Sequence, residues 1–180
     1  MSRPCHPKSL LLTIVVVTYI MMTMTTRHLR DEIKQTRPFR SLEEEVLLGL
    51  ARTADAVQRG FAGVFKAAGL STTQYNVLRI LRGAGSPGLS CGEIAERMVT
   101  RDPDLTRLLD RLEARQLATR ARDGGDRRVV TTRITQAGLD LLDELEGPLV
   151  TEQRRLLGHM GAGQLRQLAD LLDEARSGQA

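Results

Sequence analysis

The chain has 180 residues, a formal net charge of +4 and 41% hydrophobic residues, but no Trp, two Tyr and three Phe. A core must come from Leu, Val, Ile and Ala, which suits packed helices better than a β-sandwich, and the length allows one domain, or a small domain with a dimerisation arm. Cys5 and Cys91 are too few and too far apart for a disulfide framework, and with His6, His28 and His159 they show no metal-ligand spacing. No metal or other cofactor is therefore expected, and a reducing cytoplasm is the natural compartment.

Residues 1–25 stand apart. Leu10 to Met24 is a mostly apolar run behind Arg3 and Lys8, shorter than the roughly 20 residues a membrane span needs, and no small-x-small cleavage site follows it. Three readings stand side by side. One is a short anchor. Another is a buried helix, which Ile14 to Val17 and the threonines disfavour. The third, which we prefer, places the biological start at Met21, Met22 or Met24, so that a membrane partner is not expected.

From Ser41 the pattern turns helical. Val46, Leu47, Leu50, Ala54, Val57, Phe61, Val64 and Phe65 recur at three- and four-residue spacing, a capping box at Ser41 and Glu44 opens the helix, and Gly69 closes it. Ser71 with Gln74 repeats the capping signal ahead of Tyr75, Val77, Leu78 and Leu81. A loop over Gly83 to Gly88 follows. Ser90 with Glu93 then opens a short helix through Ile94, Ala95 and Met98.

Asp102-Pro103 predicts the start of a fourth helix, with an acceptor at the cap and Pro at the first helical position. Leu105, Leu108, Leu109 and Leu112 form its apolar face; Arg107 lies opposite, with Thr106 and Arg111 on the flanks. A short helix, a turn and an amphipathic helix with arginines outward make a helix-turn-helix. Leu117 to Arg122 and Arg127 to Ile134 read as two strands joined by Asp123-Gly-Gly-Asp126, a hairpin wing bearing Arg120, Arg122, Arg127, Arg128 and Arg133. Two strands alone are marginal in water, so the wing must lean on the helices.

Helical periodicity resumes at Thr135 with Leu139, Leu142, Leu145 and Leu149, Gly147-Pro148 predicts a kink, and Leu165, Leu168, Leu171 and Leu172 complete a last helix. Charge segregates along these elements. Arg97 to Arg133 holds ten Arg against six acidic residues, whereas residues 134–180 hold four Arg against eight. The positive excess falls on the two elements a winged helix inserts into DNA grooves.

The segments Gly69-Leu-Ser-Thr-Thr-Gln-Tyr-Asn-Val-Leu78, Glu93-Ile-Ala-Glu-Arg97, Leu105-Thr-Arg-Leu-Leu-Asp-Arg-Leu112, Asp126-Arg-Arg-Val-Val130 and Ile134-Thr-Gln-Ala-Gly138 occur in the order and spacing of the MarR (multiple antibiotic resistance regulator) family. The chain resembles that family over roughly Ser41 to Arg176. The fold expected is mostly α with a small β-hairpin wing: a winged helix-turn-helix over 70–135, with N- and C-terminal dimerisation helices over 41–68 and 136–176. What the resemblance implies is a homodimeric transcriptional repressor of double-stranded DNA, binding a pseudopalindromic operator and relieved by a small-molecule effector in a cleft between arm and reading head. One departure is Gln116, where the family usually has glycine before the wing.

Thr106, Arg107 and Arg111 are the candidates for major-groove contact, because a bidentate arginine is the commonest specific reader of guanine. The bland alternative pairs Arg111 with Asp110 or Glu113. Asp104 either accepts from cytosine or, as we prefer, favours the helix N-terminus electrostatically. By the resemblance, Arg128 reaches the minor groove or phosphates, Asp126 supports the wing and Arg127 is a second contact; the rival is a purely structural Asp126–Arg128 pair. Cys91 is expected to be a small residue filling a capping turn rather than a redox sensor. An enzyme is disfavoured by the absence of a nucleophile elbow, phosphate loop or metal triad, and the remaining alternative is a winged helix used only for protein interaction.

Overall fold

The computed structural model describes residues 28–100, 103–122 and 130–178, so the apolar segment 1–25 and the turn Asp123 to Asp126 lie outside the described residues. The chain divides into two units, residues 1–55 and 56–180, the division falling within helix α2. Unit one contains a short helix the sequence pattern does not announce, α1 (Leu29–Glu32), and the first half of α2 (Leu42–Ala67). Ser41 Oγ accepts the Glu44 N–H at 3.2 Å as the capping box requires, but the Glu44 carboxylate reaches the Arg40 N–H, at 2.6 Å, instead of that of Ser41. Along this half of α2, Leu42, Val46 and Leu47 remain 71%, 50% and 65% exposed.

In unit two, α2 ends in a Schellman motif. Gly69, at φ 65°, donates to the Lys66 carbonyl at 3.0 Å and Leu70 donates to Phe65 at 2.9 Å. The Ser71–Gln74 and Ser90–Glu93 boxes both close reciprocally, opening α3 (Thr72–Ala84) and α4 (Cys91–Arg97). Cys91, at the start of α4, is a free and exposed thiol. Helix α5 (Leu105–Ala114) begins two residues later than Asp102-Pro103 suggests; Pro103 and Asp104 form a turn, and Asp104 at the cap makes no side-chain capping bond.

Strand β2 (Ala118–Arg122) pairs antiparallel with β3 (Val130–Ile134), from Ala118 opposite Ile134 to Arg122 opposite Val130. A strand missing from the sequence reading, β1 (Leu89–Ser90), follows the Gly83–Gly88 region and pairs with β3, giving the order β1-β3-β2. Two residues are too few to register as a periodic signal. They nevertheless supply the wing with a third strand, the support that a lone hairpin lacks. The close approach needs Gly88, at φ 73°, whose position would put a Cβ 2.5 Å from the Thr132 carbonyl.

Thr135 caps α6 (Gln136–Leu157), its Oγ1 accepting the Gly138 N–H at 3.1 Å and donating to the Gln116 carbonyl at 2.6 Å. The helix runs uninterrupted through Gly147 and Pro148, which leaves the ladder one amide donor short. Helix α7 (Ala162–Ser177) follows and contributes no buried residue. The core joins Val77, Leu78 and Leu81 of α3, Ile94, the four leucines of α5, Leu117, and Leu142, Leu145 and Leu149 of α6. Reading head and first C-terminal helix therefore share one core within this unit. No helix among the described residues is long and apolar enough to cross a membrane.

Candidate nucleic-acid interface

Helix α5 sorts its residues by period. Leu105, Leu108, Leu109 and Leu112 are 7% exposed or less, and burying four leucines fixes the rotation of the helix about its axis. Thr106, Arg107 and Arg111 consequently come together on the opposite, exposed face. The Arg107 side chain is 76% exposed, and its Nη1 lies 3.2 Å from Asp104 Oδ2, one turn earlier. An exposed i,i+3 pair of this kind is weak, and it leaves a long cation free to exchange partners. Arg111 forms no ion pair among the described residues, because the two carboxylates next to it are taken by another arginine.

That arginine is Arg120 on β2. Its Nε donates to Glu113 Oε2 at 2.9 Å, its Nη2 reaches Glu113 Oε2 at 2.6 Å and Asp110 Oδ1 at 2.5 Å, and its backbone N–H donates to Glu113 Oε1 at 3.1 Å. The guanidinium holds the Glu113 carboxyl below the usual carboxylate range, and the carboxylate in turn raises the Arg120 pKa. Arg133 is also committed inward, donating from Nε to the Ser86 carbonyl at 2.7 Å. Of the hairpin arginines in the described residues, only Arg122 is exposed and without an ion pair. Asp126, Arg127 and Arg128 lie outside the described residues.

The turn between α5 and β2 is a second Schellman motif. Gln116 donates to Glu113 at 2.8 Å and Leu117 to Leu112 at 3.0 Å, with Gln116 at φ 57°. A left-handed backbone, which glycine adopts without strain, is thus adopted here by glutamine. Arg115, at the cap, donates from Nη1 to the Gly69 carbonyl at 2.6 Å and from Nη2 to Ala68 at 3.2 Å, tying the end of α5 to the last carbonyls after α2. Nothing local marks Arg115, Arg120 or Arg133 as internal ties; an arginine in a basic stretch looks the same whichever way it turns.

A cavity of ≈ 570 Å³ opens between α2, α3, the α4–α5 connection and α6. Phe61, Phe65, Tyr75 and Leu149 supply apolar walls, with the Phe65 and Tyr75 rings 4.8 Å apart. Among the described residues, Arg79 is the one charged side chain in its lining, and Asn76, whose Oδ1 accepts the Val99 N–H at 3.1 Å, connects that wall to the segment leading into α5. Sequence reasoning nominated none of these residues. They come from four separate elements and converge only in the fold.

The sequence model described as MarR family matches residues 68–129. The chain is similar to the crystal structure of a MarR transcription factor from Planctomyces limnophilus, at 42% identity and TM-score 0.59, covering 76% of this chain and 98% of that one. It is also similar to the homoprotocatechuate degradative operon repressor of Escherichia coli, 26% identical over 74% of this chain and 88% of the relative. The fold matches the PcaV transcriptional regulator of Streptomyces coelicolor in complex with its natural ligand, at TM-score 0.69 and 21% identity over 80% of this chain and 100% of that one.

Proposed function

This chain belongs to the MarR family of transcriptional regulators, and from that premise we propose that it binds double-stranded DNA as a homodimer and represses transcription from a pseudopalindromic operator. The observation that carries the reading is the face of α5: Thr106, Arg107 and Arg111 exposed together over four buried leucines. A helix held this way presents two guanidinium forks to a major groove, and the wing, with Arg122 and with Arg127, Arg128 and their support Asp126, takes phosphates or the minor groove. The family precedent and the segregated charge support a DNA-directed role over catalysis, and the cytoplasm is where such a protein meets its operator.

The homodimer is supported by the apolar stripe of α2, with Leu42, Val46 and Leu47 exposed, and by Leu157, Leu168 and Leu171 on α6 and α7. The cavity supports an effector. Its apolar walls and Arg79 suit a small amphipathic anion, and its contact with the segment before α5 gives such a ligand differential affinity for two placements of the recognition helix.

A mobility-shift titration against the gene's own upstream region tests the reading. Arg107→Ala and Arg111→Ala are each expected to lose about 1–3 kcal/mol of discrimination between operator and unrelated duplex. Arg128→Ala is expected to weaken all duplexes alike and lower the salt slope by about one unit. Wild-type protein that shows no salt-dependent affinity for duplex would instead favour a winged helix serving protein contacts alone.

A further inference from the structure

The recognition helix carries two acidic residues, Asp110 and Glu113, beside the face assigned to DNA. Carboxylates next to a polyanion weaken binding unless they have another task. Here the task is visible, because both are engaged by Arg120 through charge-assisted bonds, with a further bond to Glu113 from the Arg120 backbone N–H. We propose that Arg120 is a positioning residue for DNA binding, its guanidinium fork locking strand β2 to the recognition helix α5 so that wing and helix meet the duplex as one rigid unit.

Three features of the geometry lead there. The base of β2 is seated by Leu117 and Ala118, both buried, but beyond them Thr119, Ala121 and Arg122 are exposed, so Arg120 is the outermost anchor along the strand. Its side chain is only 26% exposed, against 76% for Arg107. A chain folded inward in this way is held off the phosphates. Finally, Asp110 and Glu113 stand three residues apart on one helix face; Nη2 touches both carboxylates while Nε adds a second bond to Glu113, a two-nitrogen planar grip that a lysine ammonium does not reproduce.

The proposal rests on the DNA-binding reading above, and its experiment separates the two. The double variant Asp110→Asn, Glu113→Gln removes two negative charges beside the interface, so charge alone predicts tighter binding and a steeper salt dependence. Loss of positioning predicts the opposite sign: affinity about tenfold weaker, the equivalent of one good contact, with a shallower salt slope. Fluorescence anisotropy with a duplex from the gene's upstream region, over about 50–200 mM salt, reads both. Arg120→Lys keeps the charge and loses the fork, and is expected to reproduce the weakening; if it binds like wild type, Arg120 is no more than a charge. Circular dichroism melting verifies that each variant folds, and Arg120→Lys decides alone if the double variant does not. Tighter or unchanged binding by the folded double variant overturns the positioning role, whereas failure of the wild type to bind at low salt overturns the DNA-binding reading itself.

Discussion

At Gln116 the backbone sits at φ 57° with a full side chain attached. An L-residue held in the left-handed region loses roughly 1–2 kcal/mol relative to the right-handed one, and here the Schellman bonds of the α5 terminus and the Thr135 hydroxyl on its carbonyl keep it there. Gln116→Gly should therefore raise stability by about 1 kcal/mol, seen as a melting temperature about 2–4 °C higher, with DNA affinity unchanged. A melting temperature that stays put or drops would show that the glutamine side chain contributes something glycine lacks. The need for an unusual turn at this position is legible in the sequence, from the missing glycine; that glutamine simply accepts the strained backbone is not.

Between elements, a tight junction lies where α6 leaves the wing. A Cβ at Gly138 would fall 2.3 Å from the Leu117 carbonyl and 2.7 Å from Ile134 Cγ1. Both obstacles belong to the packed base of the hairpin, one of them backbone, so the neighbour has little room to give. Gly138→Ala is expected to destabilise the fold by about 1–3 kcal/mol, measured by urea unfolding, although alanine is the better helix former. A stability gain would mean that α6 can slide on the wing. The starts of α3 and α4 were readable because a cap and its partner sit three residues apart in the chain, whereas α5 begins two residues after the Asp102-Pro103 signal. Strand β1 was not, because Leu89 and Ser90 become a strand only through β3, more than forty residues further on.

At the level of the whole molecule, the exposed leucines and the reading head have one consequence in common. Leu171 is 54% exposed and Leu168 36% exposed on a helix with no buried residue, a face that stays wet unless a second copy covers it. Leu171→Asp should shift the protein toward monomer in sedimentation experiments and weaken operator binding by more than about tenfold, because two recognition helices then no longer bind as a linked pair. A variant that stays dimeric with full affinity would remove α7 from the interface.

What the sequence determined by itself is the set of local agreements: the capped starts of α3 and α4, a leucine-backed helix with arginines outward, two paired strands before α6, and family motifs in order. Each depends on residues within a few positions of one another, where helical and strand periodicities operate. The tertiary structure decided which arginines turn inward. Arg115 finds the Gly69 carbonyl and Arg133 that of Ser86, each partner lying 46 and 47 residues away. It also assembled the cavity around Arg79 from four elements. The reason is physical: a guanidinium has the same chemistry in every direction, so only the position of distant acceptors, set by packing of the leucine core, decides whether it becomes a tie within the fold or a free cation on its surface.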